Sequence, residues 1–237
     1  MPQSYRRVLL KLSGEYLGGP QGQGFDFSVI DTLATKICAV QDAGYEVAVV
    51  LGGGNFFRGA RDLPIKMDRV AADHIGMLAT VMNSLCLKEA LMARGRTARV
   101  MTGLNIPAVA EAFEKRLATK KIAEGQILIF GGGTGNPYFS TDTAAVLRGL
   151  EIEADVVVKG TLVDGVYDKD PKKYPDAVKY EELSFTTALE KDLKVMDASA
   201  LGMCRDNNLP LGVLNINSDT DLLDFLAGKT VGTRLSR

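Results

Sequence analysis

Short apolar runs alternate with longer amphipathic segments along most of the chain. The apolar runs are rich in Val, Ile and Leu, which is typical of strands buried on both faces of a parallel sheet. The longer segments repeat apolar residues at helical spacing, and the first can be capped by Asp26 or Ser28. The pattern predicts strands at residues 8–12, 46–51, 96–102, 126–130, 155–159 and 211–215, with a final edge strand at 231–235. It predicts helices at residues 26–43, 68–93, 108–123, 143–150, 184–191, 196–207 and 219–227.

This order of strands and helices predicts the fold class. Alternating strands and helices form βαβ units, which build a mostly parallel central sheet between two helical layers. We therefore expect an α/β fold with a three-layer α/β/α sandwich. No low-complexity linker divides the chain, so we expect a single domain with two lobes. The glycine-rich residues 14–24 are expected to form a loop, and turn signals in residues 160–175 indicate a hairpin or an irregular excursion.

Composition excludes several classes of function. The 237 residues carry a net charge of −1, so no basic field argues for a nucleic-acid partner. The three cysteines are far apart and form no CxxC pair, which favours a reducing cytoplasm, and the single histidine excludes a histidine-rich metal site. The N-terminal apolar run stops at Lys11, so no signal peptide is expected. No continuous apolar run reaches about 18 residues, so no membrane span is expected.

The most informative stretch is GGGTGNPYFSTD at residues 131–142, between a predicted strand and a predicted helix. Consecutive glycines let backbone N–H groups approach a ligand closely, and a helix start adds free N–H groups and partial positive charge. Such a junction is an anion site, and phosphate is its usual ligand. The alternative is a tight turn that binds nothing.

Other predicted strands also end in residues suited to phosphate. Lys11 and Lys159 end two strands, and a second glycine run, residues 52–54, ends another. Ligands of parallel sheets bind beyond the carboxyl ends of the strands, so all of these residues should meet at one edge. A lone lysine there is usually a solvated terminus, but two beside two glycine loops favour a phosphate-bearing ligand. Neither GxxxxGK[ST] nor GxGxxG is present, which excludes the commonest nucleotide-binding loops.

Four further side chains have both a functional and a structural interpretation. Asp73 could bind ligand hydroxyls or simply match the helix dipole, and we favour the first. Arg58 could hold a phosphate or be an exposed loop residue. Asp142 could orient Lys11 or Lys159 or be an ordinary helix-start acid. For His74 we favour a packed or interfacial helix position without chemistry.

Five segments together closely resemble bacterial uridylate kinases, a family within the amino acid kinase superfamily. The segments are KLSG at residues 11–14, GGGNFFRG at 52–59, DH at 73–74, GTGNPYFSTD at 133–142 and VDGVY at 163–167. They occur in order over nearly the whole chain, and residues 133–142 distinguish this family from relatives that phosphorylate acids. The resemblance implies ATP-dependent phosphorylation of UMP to UDP in pyrimidine nucleotide synthesis. It also implies a UMP-binding and subunit-interface lobe at residues 1–150 and an ATP-binding lobe at residues 151–237.

The resemblance assigns roles to individual positions. It implies ATP contacts by Lys11, Leu12, Ser13, Gly14, Gly54, Arg58, Thr161, Tyr167 and Asp170. It implies UMP contacts by Gly53, Asp73, Thr134, Gly135, Asn136, Pro137, Tyr138, Phe139, Ser140 and Thr141. Homohexamers, activation by GTP and inhibition by UTP are also implied. The GTP response is linked to a segment that matches Gly19, Pro20, Gln21, Gly22, Gln23 and Gly24.

The chemistry of the implied reaction explains the catalytic candidates. A phosphate monoester has its second pKa near about 6, so the acceptor is already ionised and a general base adds little. Phosphoryl transfer needs alignment and cations, which Lys11 and Lys159 can supply, with Asp142 and Asp197 orienting them. Mg²⁺ would arrive with ATP, and no protein metal ligand is expected. Two alternatives stay open: a related kinase acting on a carboxylate or carbamate, and a catalytically silent nucleotide sensor.

Overall fold

The computed structural model describes residues 5–57 and 67–237. Its strands are β1 (Arg7–Leu12), β2 (Glu46–Leu51), β3 (Ala98–Thr102), β4 (Glu111–Ala112), β5 (Ile127–Gly131), β6 (Val156–Thr161), β7 (Val166–Tyr167), β8 (Lys179–Tyr180), β9 (Glu182–Ser184), β10 (Leu211–Asn215) and β11 (Thr233–Ser236). Its α-helices are α1 (Gly14–Leu17), α2 (Phe27–Asp42), α3 (Arg69–Met92), α4 (Lys115–Ala123), α5 (Thr141–Glu151), α6 (Phe185–Glu190), α7 (Ala198–Asp206) and α8 (Asp221–Leu226).

Nine strands of the described chain form one sheet in the order β4-β3-β5-β2-β1-β6-β10-β11-β9. All neighbouring pairs are parallel except β10 and β11. Successive residues of each strand point to opposite faces, so Leu10 enters one apolar core and Leu9 the other. Helices α2 and α3 pack on the first face, whereas α5 and α7 pack on the second. The predicted α/β fold with a mostly parallel sheet between helical layers is confirmed.

Four local predictions need correction or extension. The predicted loop at residues 14–24 contains α1, because the Ser13 hydroxyl caps it by accepting from the Glu15 amide, and a 3₁₀ turn at Gly19–Gln21. The predicted helix at 108–123 begins only at Lys115, and β4 occupies part of its first half, pairing with β3. The last strand is not at the edge, since β9 pairs along its outer side. The predicted excursion at 160–175 extends into a hairpin of β7 and β8.

Helix α3 is long and rich in apolar residues. Among the described residues it is the one helix long and apolar enough to cross a membrane, by length and composition only. Its most apolar stretch is 44% buried, and the helix packs against α2, β3 and β5. Its apolar residues are therefore partly explained as those of a core helix.

Candidate active site

Two lysines lie side by side at the carboxyl edge of the sheet. Lys11 on β1 and Lys159 on β6 are paired residues of neighbouring parallel strands. Both side chains lie on the face covered by α5, and Lys11 is only 7% exposed. Like charges so placed repel each other, so the arrangement requires a nearby anion.

The carboxylate of Asp142, in the first turn of α5, is that anion. Lys11 Nζ lies 2.6 Å from Oδ1 and Lys159 Nζ lies 2.8 Å from Oδ2. The Lys159 contact is a hydrogen bond, whereas the Lys11 contact is a close ion pair whose angle lies outside hydrogen-bond geometry. Burial opposes ionisation of Asp142, but the two ammonium groups outweigh it and lower the pKa of the carboxyl below its ordinary value. Asp142 therefore contacts both lysines rather than one of them.

Lys159 is held by a second bond from the other side. Its ammonium donates to the Val195 carbonyl at 2.6 Å. Burial and the neighbouring Lys11 lower the pKa of Lys159, and Asp142 partly offsets this. The result is a buried ammonium in a fixed position with a reduced preference for its proton.

Asp197 supports this centre from the start of α7. It caps α7 by accepting from the Ala200 amide at 2.8 Å. Its carboxylate also accepts from the hydroxyls of Ser140 and Thr143 at the start of α5. Ser140 in turn caps α5 by accepting from the amides of Asp142 and Thr143. Asp197 therefore fixes the helix turn that carries Asp142, and its hydrogen bonds run to these hydroxyls rather than to either lysine.

At one position in each of the two glycine loops there is no room for a side chain. A Cβ on Gly53 would lie 2.7 Å from the Gly76 carbonyl oxygen, so the loop after β2 packs directly on the α3 backbone. Gly132 has φ 73° and a Cβ there would lie 2.4 Å from Thr102 Oγ1. Part of the glycine content is thus explained by packing of these loops, as in the tight-turn interpretation.

A cleft of about 360 Å³ opens between these two loops and α3. Seven residues of the predicted UMP set line it: Gly53, Asp73, Thr134, Asn136, Phe139, Ser140 and Thr141. The loop that supplies four of them also contains Gly135, Pro137 and Tyr138, which are not among the lining residues. Phe57, Ala72, Gly76, Met77, Thr80 and Gly133 complete the wall. Most of the residues that the resemblance assigns to UMP therefore lie around one cleft, and their contact with UMP stays a prediction.

Asp73 already has protein partners at the rim of this cleft. Its Oδ2 accepts from the Tyr138 amide at 2.7 Å, where Tyr138 has φ 71°. Arg69 donates to the same carboxylate at 2.9 Å and lies over the Tyr138 ring. Asp73 therefore connects the loop after β5 to helix α3 at the rim of the cleft. The neighbouring His74 is exposed on α3, so it is not packed within the chain.

A second cavity of about 490 Å³ is lined in part by Lys159. Thr161, Tyr167 and Asp170 of the predicted ATP set line it. The Tyr167 hydroxyl donates to Asp164, which lowers the pKa of that carboxyl. Valines 163, 166, 195 and 213 supply apolar surface suited to a flat ring.

The remaining predicted ATP residues lie where β1 meets the first glycine loop. Lys11, Leu12, Ser13 and Gly14 form the end of β1 and the start of α1, and Gly14 packs against the Gly52 carbonyl. Gly54 follows in the loop that faces them, near the Glu15 side chain. Arg58 lies outside the described residues.

The segment from Gly19 to Gly24 borders a separate cavity of about 570 Å³. Gly19, Pro20, Gln21 and Gly22 line it together with residues of α2, whereas Gln23 and Gly24 do not. Gly24 donates its amide to the Asn55 carbonyl, so this segment is tied to the first glycine loop.

Sequence reasoning missed the polar residues on the buried side of α3. Thr80, Asn83 and Ser84 are at most 2% exposed. Their spacing within an apolar helix puts them on one face, which is a detectable signal. Polar residues on one face of a helix ordinarily indicate a face exposed to solvent, so this pattern did not predict a functional site.

Comparison with known proteins identifies the family of the chain. The sequence model of the amino acid kinase family matches residues 6–215. A solved UMP kinase from Bacillus anthracis is 38% identical, with a TM-score of 0.96 and coverage of 99% of this chain and 97% of that one. A UMP kinase from Ureaplasma parvum is also 38% identical, with a TM-score of 0.92 and coverage of 98% and 99%. A uridylate kinase from Archaeoglobus fulgidus is 28% identical, with a TM-score of 0.73 and coverage of 96% and 99%. The chain belongs to the amino acid kinase family.

Proposed function

We propose that this protein transfers the terminal phosphoryl group of ATP to UMP, giving UDP and ADP. The observation that carries the proposal is the Lys11–Asp142–Lys159 centre next to two cavities, one lined by Ser140 and Thr141 beside Asp142 and the other lined by Lys159. The cleft beside Asp73 is assigned to UMP, and the cavity lined by Tyr167 and four valines is assigned to the adenine nucleoside. Likeness to three solved UMP kinases or uridylate kinases supports the choice of acceptor.

In this proposal the two lysines stabilise the negative charge of the transferred phosphoryl group. An ionised oxygen of UMP attacks the terminal phosphorus of ATP, and the bond to ADP breaks. Charge spreads over the transferred group, and fixed ammonium groups stabilise it without reorganisation. Asp142 keeps both ammonium groups at the sheet edge, and Asp197 holds the helix turn that carries Asp142. No side chain is needed as a base because the acceptor is already ionised.

Mg²⁺ fits this site as a partner of the ATP phosphates. No group of three metal-ligating side chains is present among the described residues, and Asp142 is already matched by two lysines. Phosphate oxygens and water would thus supply most ligands, as is usual for this ion. When bound with ATP, Mg²⁺ supplies positive charge that the lysines supplement.

The lobes, the assembly and the regulation follow the same proposal. Residues 1–150 would bind UMP and form subunit contacts, and residues 151–237 would bind ATP. We propose a cytoplasmic homohexamer that GTP activates and UTP inhibits, in pyrimidine nucleotide synthesis. The cavity beside Gly19–Gly22 supports a regulatory role for that segment. The exposed apolar residues of α3 support the assembly.

A single assay tests the proposed reaction against its alternatives. The purified protein is incubated with ATP, Mg²⁺ and, in separate reactions, UMP, CMP, AMP, GMP, carbamate and small carboxylates. ADP release is measured against a reaction without acceptor, and UDP is identified by chromatography. Preferential turnover of UMP is expected. Turnover of a carboxylate or carbamate instead would favour an acid kinase, and ATP binding without any turnover would favour a nucleotide sensor.

A further inference from the structure

The buried side of α3 bonds to both glycine loops of the proposed acceptor cleft. The Gly132 amide donates to Thr80 Oγ1 at 2.8 Å. Asn83 Nδ2 donates to the Gly52 carbonyl at 2.6 Å. The two side chains are 2% and 0% exposed, so neither bond competes with solvent. One helix therefore contacts the two loops through polar groups spaced one turn apart.

Thr80 has its hydrogen-bonding capacity largely committed to the protein. Its hydroxyl donates to the Met77 carbonyl at 2.6 Å while it accepts from Gly132. Its single proton is thus not available for a ligand, although Thr80 borders the cleft. The backbone at Gly132 has φ 73°, so this amide direction is set by a conformation that favours glycine. Thr80 is therefore placed to hold the loop rather than to bind substrate.

Asn83 forms the equivalent connection to the other loop. It exchanges side-chain hydrogen bonds with Asn55, at 2.8 Å and 3.0 Å. Asn55 also donates to the Gly24 carbonyl at 2.7 Å. The amide orientations are fixed because each NH₂ group faces a backbone carbonyl. The hydrogen bonds of Asn83 and Asn55 therefore fix the position of the first glycine loop.

We propose that Thr80 and Asn83 are positioning residues that fix the separation of the two glycine loops and thereby shape the UMP cleft. This inference rests on the proposed UMP kinase activity. Removing the Thr80 hydroxyl leaves a buried amide unpaired, and the loop then shifts or opens to water. The acceptor side should be affected most, because Gly133, Thr134 and Asn136 follow directly in that loop.

The test compares Thr80→Val, which keeps the shape, with Thr80→Ser, which keeps the hydroxyl. Thr80→Val should raise the KM for UMP on the order of tenfold, the equivalent of about 1.4 kcal/mol. The KM for ATP should change much less, and Thr80→Ser should stay near the parent. Thr119→Val is the matched control, since that hydroxyl donates to the Lys115 carbonyl of its own helix, α4.

Amide hydrogen exchange of the ligand-free protein gives a readout independent of turnover. Thr80→Val should accelerate exchange in the peptide containing Gly132, and Asn83→Ala should do so around Gly52. If Thr80→Val does not fold, Thr80→Ala replaces it in both measurements. Parent-like exchange and KM in the hydroxyl-free variant, or equal damage by Thr80→Ser, would overturn the inference. Absence of UMP turnover in the parent would overturn the proposed function, while the exchange data would still decide the positioning role.

Discussion

Lys11 and Lys159 are directly paired on adjacent parallel strands, and both ammonium groups contact the carboxylate of Asp142. Each lysine alone should therefore be essential for charge stabilisation. Lys11→Ala and Lys159→Ala should each lower kcat by roughly 10²–10³, as the loss of one preorganised donor does in other enzymes. Steady-state assays with UMP and ATP measure this. Lys120→Ala serves as the control because that side chain is exposed on α4, and turnover at the parent rate in both active-site variants would remove the lysines from the reaction.

Asp142→Asn should separate orientation of the lysines from binding of the acceptor. The neutral amide keeps the size of the side chain but leaves two buried ammonium groups without a counter-charge. We expect kcat to fall while the KM for UMP stays closer to its parent value. A matching loss in the KM for UMP with kcat preserved would show that Asp142 contributes to binding instead.

The same substitution should change how stability depends on pH. The neighbouring lysines overcome burial and lower the pKa of Asp142, so the folded state favours the ionised carboxylate. An unfolded aspartate titrates near about pH 4, so this stabilisation is present above that pH and is lost as the pH falls through the lower folded value. Asp142→Asn should cost on the order of 3 kcal/mol at neutral pH. Urea unfolding across the acid range should show the gap narrowing below about pH 4, and a constant gap would contradict the assignment.

Assembly should depend on one exposed stripe of α3. Ile75, Leu78 and Met82 are 39%, 48% and 46% exposed, and their spacing places them on one side of the helix. We expect light scattering to give six times the 25.5 kDa chain mass for the parent and a smaller mass for Met82→Glu. Val109→Glu, at an exposed apolar residue away from α3, is the matched control. A monomeric parent at micromolar concentration would exclude the hexamer.

The cleft beside Asp73 should select UMP through both its ribose and its base. If Asp73 accepts hydrogen bonds from the ribose hydroxyls, deoxy-UMP should bind more weakly by on the order of 1–3 kcal/mol. CMP should be a poor substrate because position 4 is an acceptor in uracil and a donor in cytosine. Asp73→Ala should raise the KM for UMP and reduce the difference between UMP and deoxy-UMP.

Asp73 also accepts the Tyr138 amide, so part of that loss would come from a loosened loop. Arg69→Met isolates this contribution, since it removes a partner of Asp73 and keeps the carboxylate. It should raise the KM for both nucleotides equally and leave their ratio unchanged. Equal turnover of CMP and UMP by the parent would reject the acceptor assignment while allowing a broader nucleotide kinase.

The elements that the sequence predicted well are those with strong periodicity and a buried face. The strands carrying Lys11 and Lys159 were predicted to within two residues at either end, and the topological rule put both lysines at one edge. The strand at Glu111–Ala112 was missed because two residues cannot display a period, and tertiary pairing with β3 decides their conformation. Strand β9 was missed because its three residues are also too few to show a clear period, which is why β11 was wrongly assigned to the edge.

Site residues were predictable from the sequence where their own charged or polar groups have a chemical role. Residues that only hold other parts of the site in position were harder to predict. Asp142 was recognised as a partner of lysine, but only the fold shows that it lies between both. Thr80 and Asn83 carry no chemical signal of their own, since their importance comes from which backbone groups they meet. Contacts between segments so distant in the chain cannot be inferred from one sequence by spacing alone.

Because neighbouring residues of β1 are buried on opposite faces of the sheet, the position of Lys11 depends on the number of residues in this strand. Leu9 and Lys11 lie on the face of α5, whereas Leu10 and Leu12 lie on the face of α2. Deleting a single residue from β1 would leave an almost equally apolar strand that could still pair with β2 and β6. Yet it would turn Lys11 away from Asp142 and into an apolar layer. Insertions and deletions in this strand should therefore be selected against even where composition and hydropathy are preserved, whereas length changes in the loops beyond the sheet edge escape that constraint.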